Sequence, residues 1–417
     1  MGYMIYSGIL QADISSVPVL IAVAAIIIIG YIARAIFNRT KIPEALILIA
    51  IGILLGPVGH LLSQNAVNFL RSLAAIFGDL ALVVIMYNGG KVIVANKELL
   101  SNTRGLSLGF LDTFIPMVVL AVLMWAVFGW PILYGALLGA ILGETSTVIV
   151  VPLIKKIKLP AEIYGSLLLE ATLNSVFAIL FFTLLLSFTN GNALTASGFA
   201  NIAIDYISVS IVFGLVAGLL WLMVQNYIKG ARGYLATLAM AILLYGIVDL
   251  FNGAAAISVL IFAIILGNYK PIANFFGFKM NAKKIEVSER NAVERDIEFL
   301  IITFFFVFIG MIALLSLKFF LYAILVTAIL CAIRFIEVKY VLDSKKGYRD
   351  IAFALMQRGT VVAVLAAILF SIGGIYFSDI FYICFMVIIL TNIIASVLIA
   401  RTKVVVKRET RAQMPAA

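Results

Sequence analysis

Charged side chains are scarce in this chain: Asp, Glu, Lys and Arg make up 12% of its 417 residues, about half the share usual in a soluble domain. Histidine occurs once and cysteine twice, so there is no Cys/His spacing to clasp a metal and no disulfide framework. No nucleophile stands beside a base and no nucleotide-binding loop is present, which leaves membrane-enzyme chemistry without its usual parts and gives no cofactor a place. Basic patches interleaved with stacking aromatics are missing too, so the formal net charge of +10 is not a nucleic-acid footprint, and no nucleic acid is expected as a partner. Cys331 and Cys384 lie in apolar runs and read as small core residues, and His60 at a helix end reads as structural.

What the chain has in abundance is apolar length, with 64% hydrophobic residues. Runs of about 18 or more such residues read as transmembrane helices, and about thirteen are present: near 17–37, 44–61, 73–95, 106–128, 131–153, 162–188, 202–227, 233–250, 253–268, 297–315, 319–341, 350–371 and 375–400. The expectation is an all-α integral membrane protein, a single polytopic domain over 1–417 with a short basic tail at 401–417. Lys and Arg crowd the loops after odd-numbered spans and the tail, whereas Arg71 and Lys318 are alone on the other side. That bias places the N-terminus outside and the C-terminus in the cytoplasm of a cell membrane. The positive charge then faces the lipid bilayer surface.

The longest connection, about 269–296, divides the spans into two groups. Ile53-Leu54-Leu55-Gly56-Pro57 ends span 2 much as Ile264-Ile265-Leu266-Gly267-Asn268 ends span 9, and Thr147-Val148 in span 5 pairs with Thr360-Val361 in span 12. Both matches fit two six-helix repeats, about 17–188 and 233–400, with 202–227 as a linker span. Seven spans separate the equivalents, so the repeats are inverted, a pattern of secondary transporters.

Two apolar stretches carry polar words: Gly143-Glu144-Thr145-Ser146-Thr147 and Glu170-Ala171-Thr172-Leu173-Asn174-Ser175. A carboxylate at that depth costs several kcal/mol unless a partner or a wet cavity compensates it, and so marks a functional site. Glycine, a carboxylate and three hydroxyls followed by Pro152 favour an unwound midpoint in span 5 that can ligate a desolvated cation. A continuous helix with hydroxyls bonded back to their own carbonyls is the plainer alternative. Gln357-Arg358-Gly359-Thr360 occupies the corresponding place in span 12. There the Arg358 charge offsets the negative ends of half-helices that meet at a crossing.

These residues resemble the monovalent cation:proton antiporter superfamily, the sodium/proton exchangers and their potassium-transporting relatives. Thr40-Lys41-Ile42-Pro43 with Gly52-Ile53-Leu54-Leu55-Gly56-Pro57 is similar to the family's second helix, and Phe305-Phe306-Val307-Phe308-Ile309-Gly310-Met311 to its tenth. Gln357-Arg358-Gly359 is similar to the Arg-Gly motif of its second broken helix. The resemblance implies a homodimer that exchanges a monovalent cation (sodium, lithium or potassium) for protons. It also implies that Thr145 and Ser146 belong to the first broken helix, that Glu170 pairs with Arg334, and that Asn174 precedes the ion-binding aspartate.

At the position of that aspartate stands Ser175. A serine hydroxyl does not release a proton near neutral pH, so the exchanging carboxyl is expected one span earlier, at Glu144. Thr145, Ser146, Asn174 and Ser175 then serve as neutral ligands of the cation or proton site. One carboxylate holding either occupant makes a 1:1 electroneutral cycle the natural expectation. The alternative is that proton exchange is lost and the scaffold carries or leaks another small solute. An ion pair with Arg358 is the competing role for Glu144. Asp79 and Asp112 are expected nearer span ends, satisfied by snorkelling or a water-filled vestibule, and Lys91 is expected to anchor at the interface.

Overall fold

The computed structural model describes residues 16–40, 44–59, 64–93, 102–146, 150, 154, 159–189, 196–228, 233–275, 292–342 and 346–412. Thr147, Val148, Pro152, Lys41–Pro43, His60 and most of the 269–296 connection lie outside them. Every regular element among the described residues is helical. In chain order these are α1 (Ser16–Thr40), α2 (Glu44–Ile53, continued by a π-helical turn Leu54–Val58), α3 (Gln64–Val92), α4 (Thr103–Phe128) and α5 (Ile132–Leu142). Next come α6 (Ala161–Thr189), α7 (Ala196–Tyr227), α8 (Tyr234–Leu250), α9 (Ala255–Gly267) and α10 (Tyr269–Phe275). The last are α11 (Ala292–Ile312), α12 (Leu317–Val341), α13 (Lys346–Ala354), α14 (Thr360–Ile372) and α15 (Ile375–Ala412).

Five described helical segments are long and apolar enough to cross a bilayer: Thr103–Phe128, Ala161–Thr189, Ile204–Tyr227, Leu317–Val341 and Ile375–Ile399. The count is lower than the roughly thirteen stretches read from hydropathy, partly because some of those stretches are interrupted. The first interruption follows α5. Gly143 makes a turn, Glu144–Ser146 are not helical, and Val150 N–H bonds back to Ser146 O at 2.9 Å. The second separates α13 from α14, where residues 355–359 are not helical.

Local sequence accounts for the entry to the first break. The Asn102 side chain caps α4 by accepting the Gly105 N–H at 3.0 Å. Gly129, at φ 67°, ends the helix in the left-handed conformation that a residue without a Cβ adopts most easily. Pro131 then leads directly into α5. Gly135, Gly139 and Gly143, spaced by four, line the α5 face on α4: a Cβ on Gly143 would stand 2.5 Å from Thr113 Cα. Small residues at such spacing let backbones approach closely in lipid, where no hydrophobic force draws helices together. The result brings the middle of α4 alongside the first break.

The larger core cluster runs through α3, α9, α11 and α14, with Phe262, Phe305, Phe306 and Phe370 fully buried. Gly52 of α2 and Gly310 of α11 meet backbone to backbone, so a Cβ on Gly310 would lie 2.9 Å from Gly52 Cα. Gly246 on α8 has open space around its Cα. Gly310→Leu should therefore overpack the α2–α11 contact and cost about 1–3 kcal/mol, seen as a lower melting temperature in detergent. Gly246→Ala should leave it unchanged or raised. Equal melting temperatures for the two variants would contradict this packing.

Candidate functional site

The two interruptions meet. Ser146 N–H donates to Gln357 O at 2.8 Å, a main-chain bond between the first break and the second. Gly359 lies so close to the Ser146 side chain that a Cβ there would overlap Oγ, which is why this position has no side chain. Arg358 reaches back across the crossing. Its NH1 donates to the Glu144 carbonyl oxygen at 2.7 Å and to Thr145 Oγ1 at 3.0 Å. A carbonyl freed by unwinding at this depth requires a donor, and the guanidinium provides it.

The second break is held from behind by α15. Thr391 Oγ1 accepts the Arg358 N–H at 3.3 Å, and Asn392 Nδ2 donates to Arg358 O at 2.8 Å. Neither residue figured in the sequence reading. The adjacent pair Thr391-Asn392 inside an otherwise apolar run was the available signal.

Asp112 is central to the polar cluster. It lies inside α4, 1% exposed, rather than near a span end as expected from the sequence. Its Oδ2 accepts from Thr145 Oγ1 at 2.7 Å and from Asn174 Nδ2 at 3.3 Å. Arg358 NH1 and Arg334 NH1 stand 3.7 and 3.8 Å from the same oxygen. Position along the hydropathy run misled here, because the close α4–α5 approach turns this segment inward. Asp79 differs as well: it is half-buried within α3, and its Oδ1 accepts from Tyr245 OH at 2.9 Å. Lys91 bonds Glu294 at 2.8 Å and lies over the Tyr87 ring, an ion pair between α3 and α11 in addition to any anchoring.

Glu170 Oε1 lies 2.5 Å from Arg334 NH1, and Arg334 NH2 donates to Ala352 O at 3.0 Å. Glu144, 1% exposed, has a different environment. Its Oε1 accepts from Ser175 Oγ at 3.2 Å, while Oε2 has no hydrogen-bond partner among the described residues. No guanidinium nitrogen lies within ion-pair distance of this carboxyl among the described residues, since Arg358 bonds the Glu144 main chain instead. Ser146, Asn174 and Ser175 are buried as well. A second buried carboxyl, Glu337, was also missed; it lies three residues after Arg334 and so on the same face of α12.

With the crossing in view, comparison with known proteins is informative: residues 22–404 match the transmembrane sodium/hydrogen exchanger family. The chain belongs to that family. A relative, the K(+)/H(+) antiporter NhaP2 of Shewanella sp. strain MR-4, is 29% identical over 251 residues, which cover 58% of this chain and 42% of that protein. NhaP2 of Shewanella oneidensis is 29% identical over 242 residues, covering 56% and 41%. The matched region thus spans less than half the length of these relatives. Among solved structures, the sodium proton antiporter MjNhaP1 of Methanocaldococcus jannaschii at pH 8 superposes with a TM-score of 0.73 at 19% identity, covering 92% of this chain and 98% of that one. An electron-microscopy structure of MjNhaP1 gives a TM-score of 0.71 at 20% identity, covering 97% and 100%. At these identities the likeness establishes the exchanger fold.

Within this exchanger scaffold the cluster makes a stability prediction. Removing one member of a buried ion pair strands the other and costs about 3–5 kcal/mol. Glu170→Ala or Arg334→Ala should therefore lower the melting temperature in detergent well below that of Ser175→Ala, which loses only a hydroxyl that donates at 3.2 Å to Glu144 and at 3.4 Å to Ala171 O. Matching melting curves for all three would count against a structural pair.

Proposed function

We propose that this chain exchanges a monovalent cation for protons across a cell membrane by alternating access, with Glu144 as the carboxyl that holds either occupant. One observation carries the reading. Glu144 is a buried carboxyl at the crossing of two broken helices whose second oxygen has no hydrogen-bond partner and which forms no ion pair among the described residues. Asp112 and Glu170, by contrast, are engaged by arginines. When a dehydrated cation occupies Glu144 the proton leaves, and when the proton returns the cation is released, so the two compete for one charge. Ser146, Ser175, the Asn174 side chain and freed carbonyls of the break are the neutral oxygens within the site. The Thr145 hydroxyl is already committed to Asp112 and Arg358, and it joins the cation's ligands when those bonds open. The expected cycle is electroneutral, one for one.

Family membership and the names of the relatives support an alkali cation as substrate, with potassium in one set and sodium in the other. Two inverted repeats remain the best account of the architecture, and the packing supports them. The α2–α11 contact has its counterpart in α9–α3, where Gly90 of α3 lies against Leu260 and Ala263 of α9 as Gly310 lies against Gly52. A homodimer with an outside N-terminus and a cytoplasmic C-terminus completes the proposal.

Glu144→Gln should abolish cation-dependent proton movement in proteoliposomes while the protein still purifies folded. Retained exchange would remove Glu144 from the mechanism. In vesicles containing the unaltered protein alone, adding sodium, lithium or potassium should collapse a preformed pH gradient. If none of the three does so, the scaffold serves another solute.

A further inference from the structure

The second break strands a peptide. Residues 355–359 are not helical, so the main-chain groups of Arg358 stand outside the helical ladders and need partners from elsewhere. Both partners come from one buried dipeptide of α15, Thr391-Asn392. Thr391 Oγ1 accepts the Arg358 N–H at 3.3 Å, and Asn392 Nδ2 donates to Arg358 O at 2.8 Å. Each clamp is also tied into its own helix. The Thr391 hydroxyl donates to Val387 O at 2.8 Å, which leaves its lone pairs for the break, and Asn392 Nδ2 donates to Ile388 O at 2.8 Å. With both amide hydrogens on carbonyls the amide has one orientation, since turning it over would set Oδ1 against two acceptors. Oδ1 itself is buried without a hydrogen-bond partner among the described residues. Such a half-satisfied amide adds little stability, because the orphaned oxygen offsets what the donated bonds gain. α15 is stacked on α14, Phe381 against Phe370 with ring centroids 4.5 Å apart, so the clamp shares a frame with the helix that follows the break.

We propose that Asn392, with Thr391 beside it, is a positioning residue of the exchange site: by gripping both main-chain groups of Arg358 it keeps the guanidinium on the Glu144 carbonyl and off the Glu144 carboxyl. The guanidinium is pinned at one corner. Its NH1 carries the bonds to Glu144 O and Thr145 Oγ1, while Nε has no hydrogen-bond partner among the described residues. A head held this way can pivot, so the mounting of its main chain decides which oxygen of residue 144 it reaches. On the carbonyl it closes the first break and leaves the carboxyl to an alkali ion. On the carboxyl it would be an internal cation in a charge-assisted pair, which the alkali ion would have to displace. Asn392 acts only through Arg358, and what it sets is the affinity of the Glu144 site for its cation.

The inference rests on the exchange reading, so binding and transport are measured apart. In detergent, adding sodium, lithium or potassium to the unaltered full chain should raise its melting temperature, because an ion bound to the folded state stabilises it. Asn392→Leu, close in shape but without donors, should need about tenfold more of the same cation for half the effect, the worth of one hydrogen bond. In proteoliposomes its KM for that cation should rise by a similar factor with kcat little changed, the mark of lost binding rather than lost turnover. Thr391→Val removes the longer grip and should raise KM about threefold, whereas Thr391→Ser keeps the hydroxyl and should restore it. A lower melting temperature with half-effect concentration and KM both unaltered would make Asn392 a packing residue and overturn the proposal. Should Asn392→Leu fail to fold, equal KM values in Thr391→Val and Thr391→Ser overturn it instead. A chain that responds to none of the three cations, or a response that survives Glu144→Gln, sinks the exchange reading itself.

Discussion

The bond from the Arg358 guanidinium to the Glu144 carbonyl oxygen is the constraint from which the rest of the centre follows. A helix broken at membrane depth leaves main-chain acceptors that lipid cannot satisfy, and each such orphan costs several kcal/mol. Arg358 supplies a charged donor to the first break from inside the second. Having been buried for that purpose, it requires negative charge nearby, and Asp112 provides it. Asp112 in turn draws Thr145, Asn174 and Arg334 inward, and Arg334 brings Glu170. Each group is present to compensate the one before it.

This chain of compensation leaves one side chain outside it. Glu144 shares its backbone with the group that Arg358 stabilises, yet its carboxyl turns toward Ser175 rather than the guanidinium. A carboxyl that forms no ion pair among the described residues can change occupant with little disturbance to its surroundings, whereas protonating Asp112 would loosen contacts to two arginines. Division of labour between neutralised structural charges and one lightly held charge is how a buried polar centre can be both stable and exchangeable. The aspartate expected at position 175 by family resemblance would have put that lightly held charge on α6. Here position 175 carries a hydroxyl that donates to Glu144, and the carboxyl lies on the opposing break.

Much of this was legible in sequence because the membrane makes polar residues conspicuous. The words around Glu144, Glu170 and Arg358 stand out from apolar runs, and the structure brings all three to one locus. Asp112 and Glu337 were harder to read. Both lie in runs that also carry polar flanks, and hydropathy gives depth along a helix without the rotation that aims a side chain at its neighbours. The decisive information was tertiary: a glycine stripe on α5 draws α4 close enough to carry Asp112 against Thr145. Thr391 and Asn392 escaped notice for a related reason, since their partners are main-chain groups of a break rather than other side chains.

The hydrogen bond between Ser146 N–H and Gln357 O has a mechanical consequence. It belongs to the main chain, so no side-chain replacement other than proline at 146 deletes it, and the neighbouring Ser146–Gly359 approach leaves little room for sliding. The two broken helices are therefore riveted at their waists. In the exchange cycle proposed above, an excursion between the two faces would carry both breaks together, with the give at their outer seams.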